Sequence, residues 1–290
     1  DENLPKYMVP IGKWKGARYG MPIEHGNFQQ MYINVDMFKK AGLNPERPPK
    51  TMDEWLSAMK KLTVLDARGE PTQVGFALRH KGHPVGITDK FLPFAHAWGA
   101  RMLNADLDRA TGYANSPEMV SALTFFGDLV LRDKVASLAV GNPEEAFGQK
   151  RAAVIFRESW FFGWLKKNAP DVSFKVYALP CEKTCPGAGA LFPWTDLVYK
   201  NSPNKAVAWE FMRFISNAKD DMEHHQLQGI HGVEPETART EKGLVVADLR
   251  RGHLQHQVLN HHGFDPFPQG LCRFIHGTCF HPTTPRTGPH

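Results

Sequence analysis

The chain has few cysteines, no long apolar run and no block of like charge. No stretch approaches the roughly 18 apolar residues that a membrane helix needs, which excludes a membrane-spanning segment of that kind. The formal charge of +5 is scattered. "KWKGAR" (13–18) and "RRGH" (250–253) are too short to build a nucleic-acid surface and read as solvated loops. P-loop, nucleophile-elbow and HExxH patterns are all missing. The opening "DENLPKYMVP" has no initiating Met, no basic n-region and no apolar h-region, so it is not a signal peptide. It fits a cytoplasmic protein, a processed mature chain or a fragment. The four cysteines form two close pairs, Cys181/Cys185 and Cys272/Cys279. An even count suits an oxidising compartment, but spacing does not set pairing. "PCEKTCPG" fits a small disulfide loop after a strand, and equally two free thiols in a turn.

What is present is ample core material: 290 residues, 42% hydrophobic, enough for one large domain or two ordinary ones. "QQMYINV" (29–35) reads as a strand leading into the short helix "VDMFKKAGL". "TMDEWLSAMKKLT" (51–63) is a helix in which Thr51 and Glu54 form a capping box. Its apolar stripe is Met52, Trp55, Leu56, Met59 and Leu62. "TQVGFAL" (72–78) follows as a strand. A second helix starts at Ser116 and Pro117, with Val120, Leu123, Leu129 and Val130 expected inward. A third repeats that start at Ser202 and Pro203, with Val207, Phe211, Phe214 and Ile215 expected inward. Trp55 and Trp209 lie on helix stripes and read as core. Strands are expected at 152–156, 172–179 and 196–200. Strands alternating with helices argue for an α/β fold with a largely parallel or mixed sheet.

The order of segments resembles the extracellular solute-binding proteins of ABC importers, the group that includes maltose- and glycerol-phosphate-binding proteins. The resemblance rests on "YGMP", "YINVDMFKKAGL", "PPKTMDE", "AWGARMLNADLDRATGYANSPEMVSALTFF", "AFGQKRAAVIFRESW", "VYALP" and "KNSPNKAVAWEFMRFIS", in that order. It covers about residues 16–232. It implies a periplasmic-binding-protein-like (type II) α/β fold of two lobes joined by crossing strands, one lobe nearly complete and the other partial. Residues 1–23 would be a remnant of the first lobe with its crossover, and 24–181 the main α/β lobe. A partial second lobe would occupy 182–235, and an irregular His/Pro-rich tail 236–290. About a hundred residues that open the first lobe in the family would precede Asp1, an estimate from typical domain sizes. A lobe without them leaves sheet edges uncovered, so weak or no ligand binding is expected of this chain alone.

The stretch "RESWFFGWL" (157–165) sets four aromatic side chains beside an arginine, a glutamate and a serine, just past the apolar run "AAVIF". Carbohydrates present flat C–H faces and a rim of hydroxyls, so their sites combine aromatic planes with fixed polar groups. In open α/β sheets ligands sit at the carboxyl ends of strands. Phe161, Phe162 and Trp164 read as packing in the helix after Ser159. By the resemblance Trp160 aligns with the tryptophan of the family's "GPW", which stacks on ligand. Arg157 and Glu158 are expected either to contact ligand or to pair with one another. Trp98 lies at a glycine-rich turn, either at the site or packed at the end of "DKFLPFAHAW". Trp194 is placed in the loop before "DLVYK", where family members approach the ligand. Glu24 and His25, just past the crossover, would stand at the cleft floor. The ligand-binding set is thus Trp160, Trp98, Trp194, Glu24, Arg157 and Glu158.

Two alternatives stand beside this. Glu24 and Glu158 are a candidate carboxylate pair for glycoside hydrolysis, although no spacing fixes their separation. "CRFIHGTCFH" offers Cys272, His276, Cys279 and His281, with His261 and His262 upstream, a set that could hold zinc. Against this, ten of the fourteen histidines follow Glu223 while all seven tryptophans precede Ser216. That break marks a tail of different character, beginning where the resemblance stops near Val233. The reading that the resemblance implies is a monomeric, non-enzymatic binding component without metal or cofactor. Its ligand would be a carbohydrate or polyol and its partner the transporter's permease. It would be periplasmic or extracellular, anchored or exported through a segment not in this chain.

Overall fold

The computed structural model describes residues 8–23, 29–183, 185, 187, 189 and 194–215, together with the strand residues 274–275 and 278–279. In chain order the elements are β1 (Lys13–Trp14), β2 (Ala17–Arg18), β3 (Gly20–Ile23), β4 (Gln29–Asn34), α1 (Val35–Lys40), α2 (Met52–Leu62), β5 (Val64–Leu65), β6 (Pro71–Phe76) and α3 (Pro84–Ala97). They continue with α4 (Pro117–Leu131), α5 (Pro143–Gly148), β7 (Ala152–Glu158), α6 (Phe161–Asn168), β8 (Phe174–Tyr177), β9 (Trp194–Leu197), α7 (Lys205–Ile215), β10 (Phe274–Ile275) and β11 (Thr278–Cys279). These form two compact units. The larger runs from β4 through β8; the smaller holds β1–β3, β9, α7 and the β10–β11 ladder. Gly187 and Gly189 belong with the larger unit, packed on Leu179, Pro180 and Gln29.

The larger unit is built on a mixed sheet of order β5-β6-β7-β4-β8. Only β6 and β7 run parallel; β4 is antiparallel to both β7 and β8. β4 and β7 are buried along their whole length, because helices cover both faces. Met31, Ile33, Phe76, Val154 and Phe156 pack with Trp55, Met59, Phe94 and Leu129 on one side. Tyr32, Val74, Ile155, Phe147, Phe161 and Leu165 form the core of the other. Helix α2 begins as its sequence dictates: Thr51 accepts from the Glu54 backbone, and the Glu54 carboxylate accepts from the Thr51 backbone. Met52, Trp55, Met59 and Leu62 are its buried stripe, with Leu56 half-buried at its edge.

Two helices turn differently from the expectation. In α4, Ser116 caps the Met119 backbone as expected, but Val120 and Leu123 are 59% and 58% exposed. The buried residues are Met119, Ala122 and Leu129, and Phe125 and Phe126 pack against the core. Both stripes satisfy helical spacing; the one carrying the aromatic rings faces the sheet, where Phe125 and Phe126 meet Phe94. Helix α7 begins at Lys205, two residues later than the Pro203 start, and Ser202 accepts from the Asn204 backbone instead. Its Val207, Phe211 and Phe214 point outward at 69%, 61% and 66% exposure, while Met212 is buried and Trp209 only half-buried.

In the smaller unit β3 and β9 pair antiparallel, Ile23 opposite Trp194 and Gly20 opposite Leu197. Gly20 has no room for a side chain: a Cβ there would lie about 2.5 Å from both Leu197 and Thr195.

Candidate functional site

The carboxyl end of β7 gathers the polar residues of the larger unit. Strand register places Gln29 opposite Glu158 and Gln30 opposite Arg157. All four are buried, as are Asp89 and Lys90 of α3 and Glu144 of α5. Arg157 and Glu158 do pair with one another, Nη1 to Oε2 at 2.7 Å. Each also has a second partner: Arg157 Nη2 meets the Glu144 carboxylate, and Lys90 Nζ meets Glu158 Oε1. The Gln29 amide donates to the Asp89 carbonyl at 2.9 Å, and the Tyr32 hydroxyl donates to the Glu158 carbonyl at 3.2 Å. Backbone and side chains therefore tie α3, β4, α5 and β7 together at one end of the sheet.

The electrostatics follow from this burial. Burial pushes the Glu158 carboxyl up, but the cations of Lys90 and Arg157 outweigh it and leave its pKa below the ordinary value. Burial lowers the Lys90 pKa, with Glu158 opposing the shift. Asp89 is pushed up to about 7, chiefly by burial, which the Lys90 cation only partly offsets.

Trp160 stands immediately beyond, half-buried, at the entry to α6. The Arg157 guanidinium lies over its ring, 4.7 Å from the centroid. Phe161 behind it is wholly buried, and Phe162 and Trp164 pack partly buried on the same core. Trp98 lies elsewhere: it caps α3 and packs on Phe125 with ring centroids 4.6 Å apart. Trp194 is not in a loop but opens β9, 57% exposed, in the smaller unit. "FPW" reads as poor strand material, yet pairing with β3 supplies the ladder regardless of intrinsic preference. Glu24 and His25 lie outside the described residues. So do the tail histidines His261, His262, His276 and His281, and Cys272; of Cys279 only the strand backbone is described. Among the described residues no group of three or more His, Cys, Asp or Glu side chains is arranged to hold a metal. No helix among them is long and apolar enough to cross a membrane. Cys181 and Cys185 are disulfide-bonded.

Sequence reasoning missed Lys90, Asp89, Glu144 and the two glutamines. One signal was available: Asp89 and Lys90 sit directly before the apolar run of α3, where two adjacent charges need buried partners.

A helix-covered mixed sheet, a second compact unit and a polar-aromatic cluster at a strand's carboxyl end accord with a type II periplasmic-binding fold. An ABC substrate-binding protein from Listeria monocytogenes in complex with cycloalternan superimposes with a TM-score of 0.67 at 27% identity, covering 82% of this chain and 59% of that one. A Thermotoga lettingae solute-binding protein bound with α-D-tagatose gives 0.64 at 26%, covering 79% and 57%. The chain belongs to the bacterial extracellular solute-binding protein family, whose profile matches residues 1–246. A binding protein of Brucella abortus is 27% identical over 241 residues, 81% of this chain and 55% of its own length. The sn-glycerol-3-phosphate-binding periplasmic protein of Rhizobium meliloti is 25% identical over 246 residues, 78% and 52%. The chain thus spans about half the length of the curated relatives it matches.

Proposed function

We propose that the protein is the solute-binding component of an ABC importer and captures a neutral sugar or polyol without chemical change. The observation that carries this reading is the half-buried Trp160 ring at the carboxyl end of β7, beside a polar cluster whose charges are already matched. An aromatic plane suits the C–H face of a sugar. The two cations, Lys90 and Arg157, are balanced by Glu144 and Glu158, so Arg157 has no charge to spare for an anionic ligand. That favours neutral ligands over phosphate esters, although one relative is named for glycerol phosphate. The tagatose- and cycloalternan-bound neighbours support the same class. Glu158 is committed to Lys90 and Arg157, which argues against its serving as a hydrolytic acid or base and supports binding without turnover. Trp98 and Trp194 remain candidate contacts from sequence. In this reading the ligand-bound form is recognised by the permease outside the cytoplasm, with hinge closure as the signal.

The test is a fluorescence titration with D-tagatose, ribitol, maltose and glycerol 3-phosphate, at concentrations high enough to read weak binding. Saturable binding of a neutral member, abolished in Trp160→Ala, is expected. Binding of glycerol 3-phosphate alone would overturn the neutral-ligand reading, and hydrolysis of maltose would overturn the non-enzymatic one.

A further inference from the structure

We infer that Arg157 is a positioning residue that orients the Trp160 ring, and that Glu144 and Glu158 hold it in that pose. The inference deepens the proposed site and rests on the reading that Trp160 meets the sugar. Arg157 is itself almost wholly buried, at 7% exposure, so it offers little surface to a ligand. Both terminal nitrogens are occupied, one by Glu158 at 2.7 Å and the other by Glu144. A planar guanidinium pinned at both ends cannot rotate about its stem, so the face it turns to Trp160 is fixed. That face lies 4.7 Å from the ring centroid, within reach of a cation–π contact. Trp160 is only half-buried and its other ring contact is the edge-on packing of Phe161 at 5.9 Å, so the guanidinium is what covers its face. Glu158 is in turn held by Lys90, so the chain of contacts runs from α3 through β7 to the ring. Lysine cannot replace arginine here, since a point charge makes no planar stack and no two-ended clamp.

The native full chain, labelled with 15N-arginine, gives a direct reading. Arg157 Nε has no hydrogen-bond partner among the described groups. Its N–H resonance is therefore expected upfield under the ring current of Trp160, and to lose that shift in Trp160→Leu. In Arg157→Lys the near-ultraviolet circular dichroism is expected to lose the band that Trp160→Leu removes, with the far-ultraviolet spectrum retained. Glu144→Gln should lose part of it. With D-tagatose or ribitol as probe, affinity in Arg157→Lys should fall about tenfold, the scale of one exposed-to-buried cation–π contact. An arginine Nε–H with no Trp160-dependent shift in the native chain overturns the inference, whether or not the variants fold. An intact shift without binding of either probe leaves the positioning standing and removes the sugar reading. Binding that is unchanged in a folded Arg157→Lys removes the positioning role alone.

Discussion

Asp89 and Lys90 are neighbours on α3, and burial acts against the charge of each. Lys90 pairs with Glu158, and burial raises the Asp89 carboxyl to about 7. Between its ordinary value of 3.8 and about 7, the folded protein holds the Asp89 proton more tightly than the unfolded chain. This group's contribution to stability is therefore largest at low pH and falls as pH rises through that window. Asp89→Asn should flatten that part of the pH–stability profile and raise the urea midpoint at pH 8; an unchanged profile would refute the assignment. The charges of Arg157 and Glu158 were legible as odd in an apolar context. Their pairing with one another was among the expectations, but Lys90 and Glu144 were not, because Lys90 lies 68 residues from Glu158 and only the packing of α3 on the sheet brings it there.

Among the elements, α2 was legible from end to end, because a capping box and an apolar stripe are local properties. Thr51→Ala removes the bond to the Glu54 backbone and should cost about 1 kcal/mol in a urea titration. β6 shows the reverse case. The strand 72–78 was expected without any role for Gly75, but a Cβ there would meet the Met59 carbonyl at 2.3 Å. Gly75→Ala therefore drives α2 off the sheet and should destabilise by about 1–3 kcal/mol, the range for overpacking. No rotamer change relieves a clash with backbone. On α4 Leu129 and Val130 do pack inward as expected, but Val120 and Leu123 do not, and the outward side chains of α4 and α7 were misread for one shared reason. Helical spacing says which residues lie together, not which of two apolar stripes meets a partner. In α4 the phenylalanine side wins; in α7 Val207, Phe211 and Phe214 stay at the surface.

At the scale of the whole molecule, a disulfide ties the chain to the larger unit several residues before it enters the smaller one at Trp194. Cys181 is stitched to the start of α2, its N–H donating to Lys50 O at 2.9 Å and its carbonyl accepting from Met52 N–H at 2.8 Å. The Cys181–Cys185 bond holds the outgoing segment against that anchor. Replacing both cysteines by alanine should cost about 2 kcal/mol, the loop-closure estimate for so short a ring. Thermal unfolding with and without reductant checks it: the midpoint should drop for the native chain and not for the double variant. The sequence had left this pair open between a disulfide and two free thiols, because a spacing of four residues permits either.

By itself the sequence determined the α/β class and the helix starts at Thr51 and Ser116, since caps, turns and strand-helix alternation are short-range signals; the family came from the resemblance of its ordered segments to known members. It also singled out Trp160 and its charged neighbours. Only the tertiary structure decided that the sheet is mixed, with β4 antiparallel between β7 and β8, and that Trp194 lies in a strand. It likewise decided that the cations at the end of β7 are balanced within the protein. Those outcomes depend on which distant segments come to lie side by side, and a local pattern carries no record of its partner across the sheet.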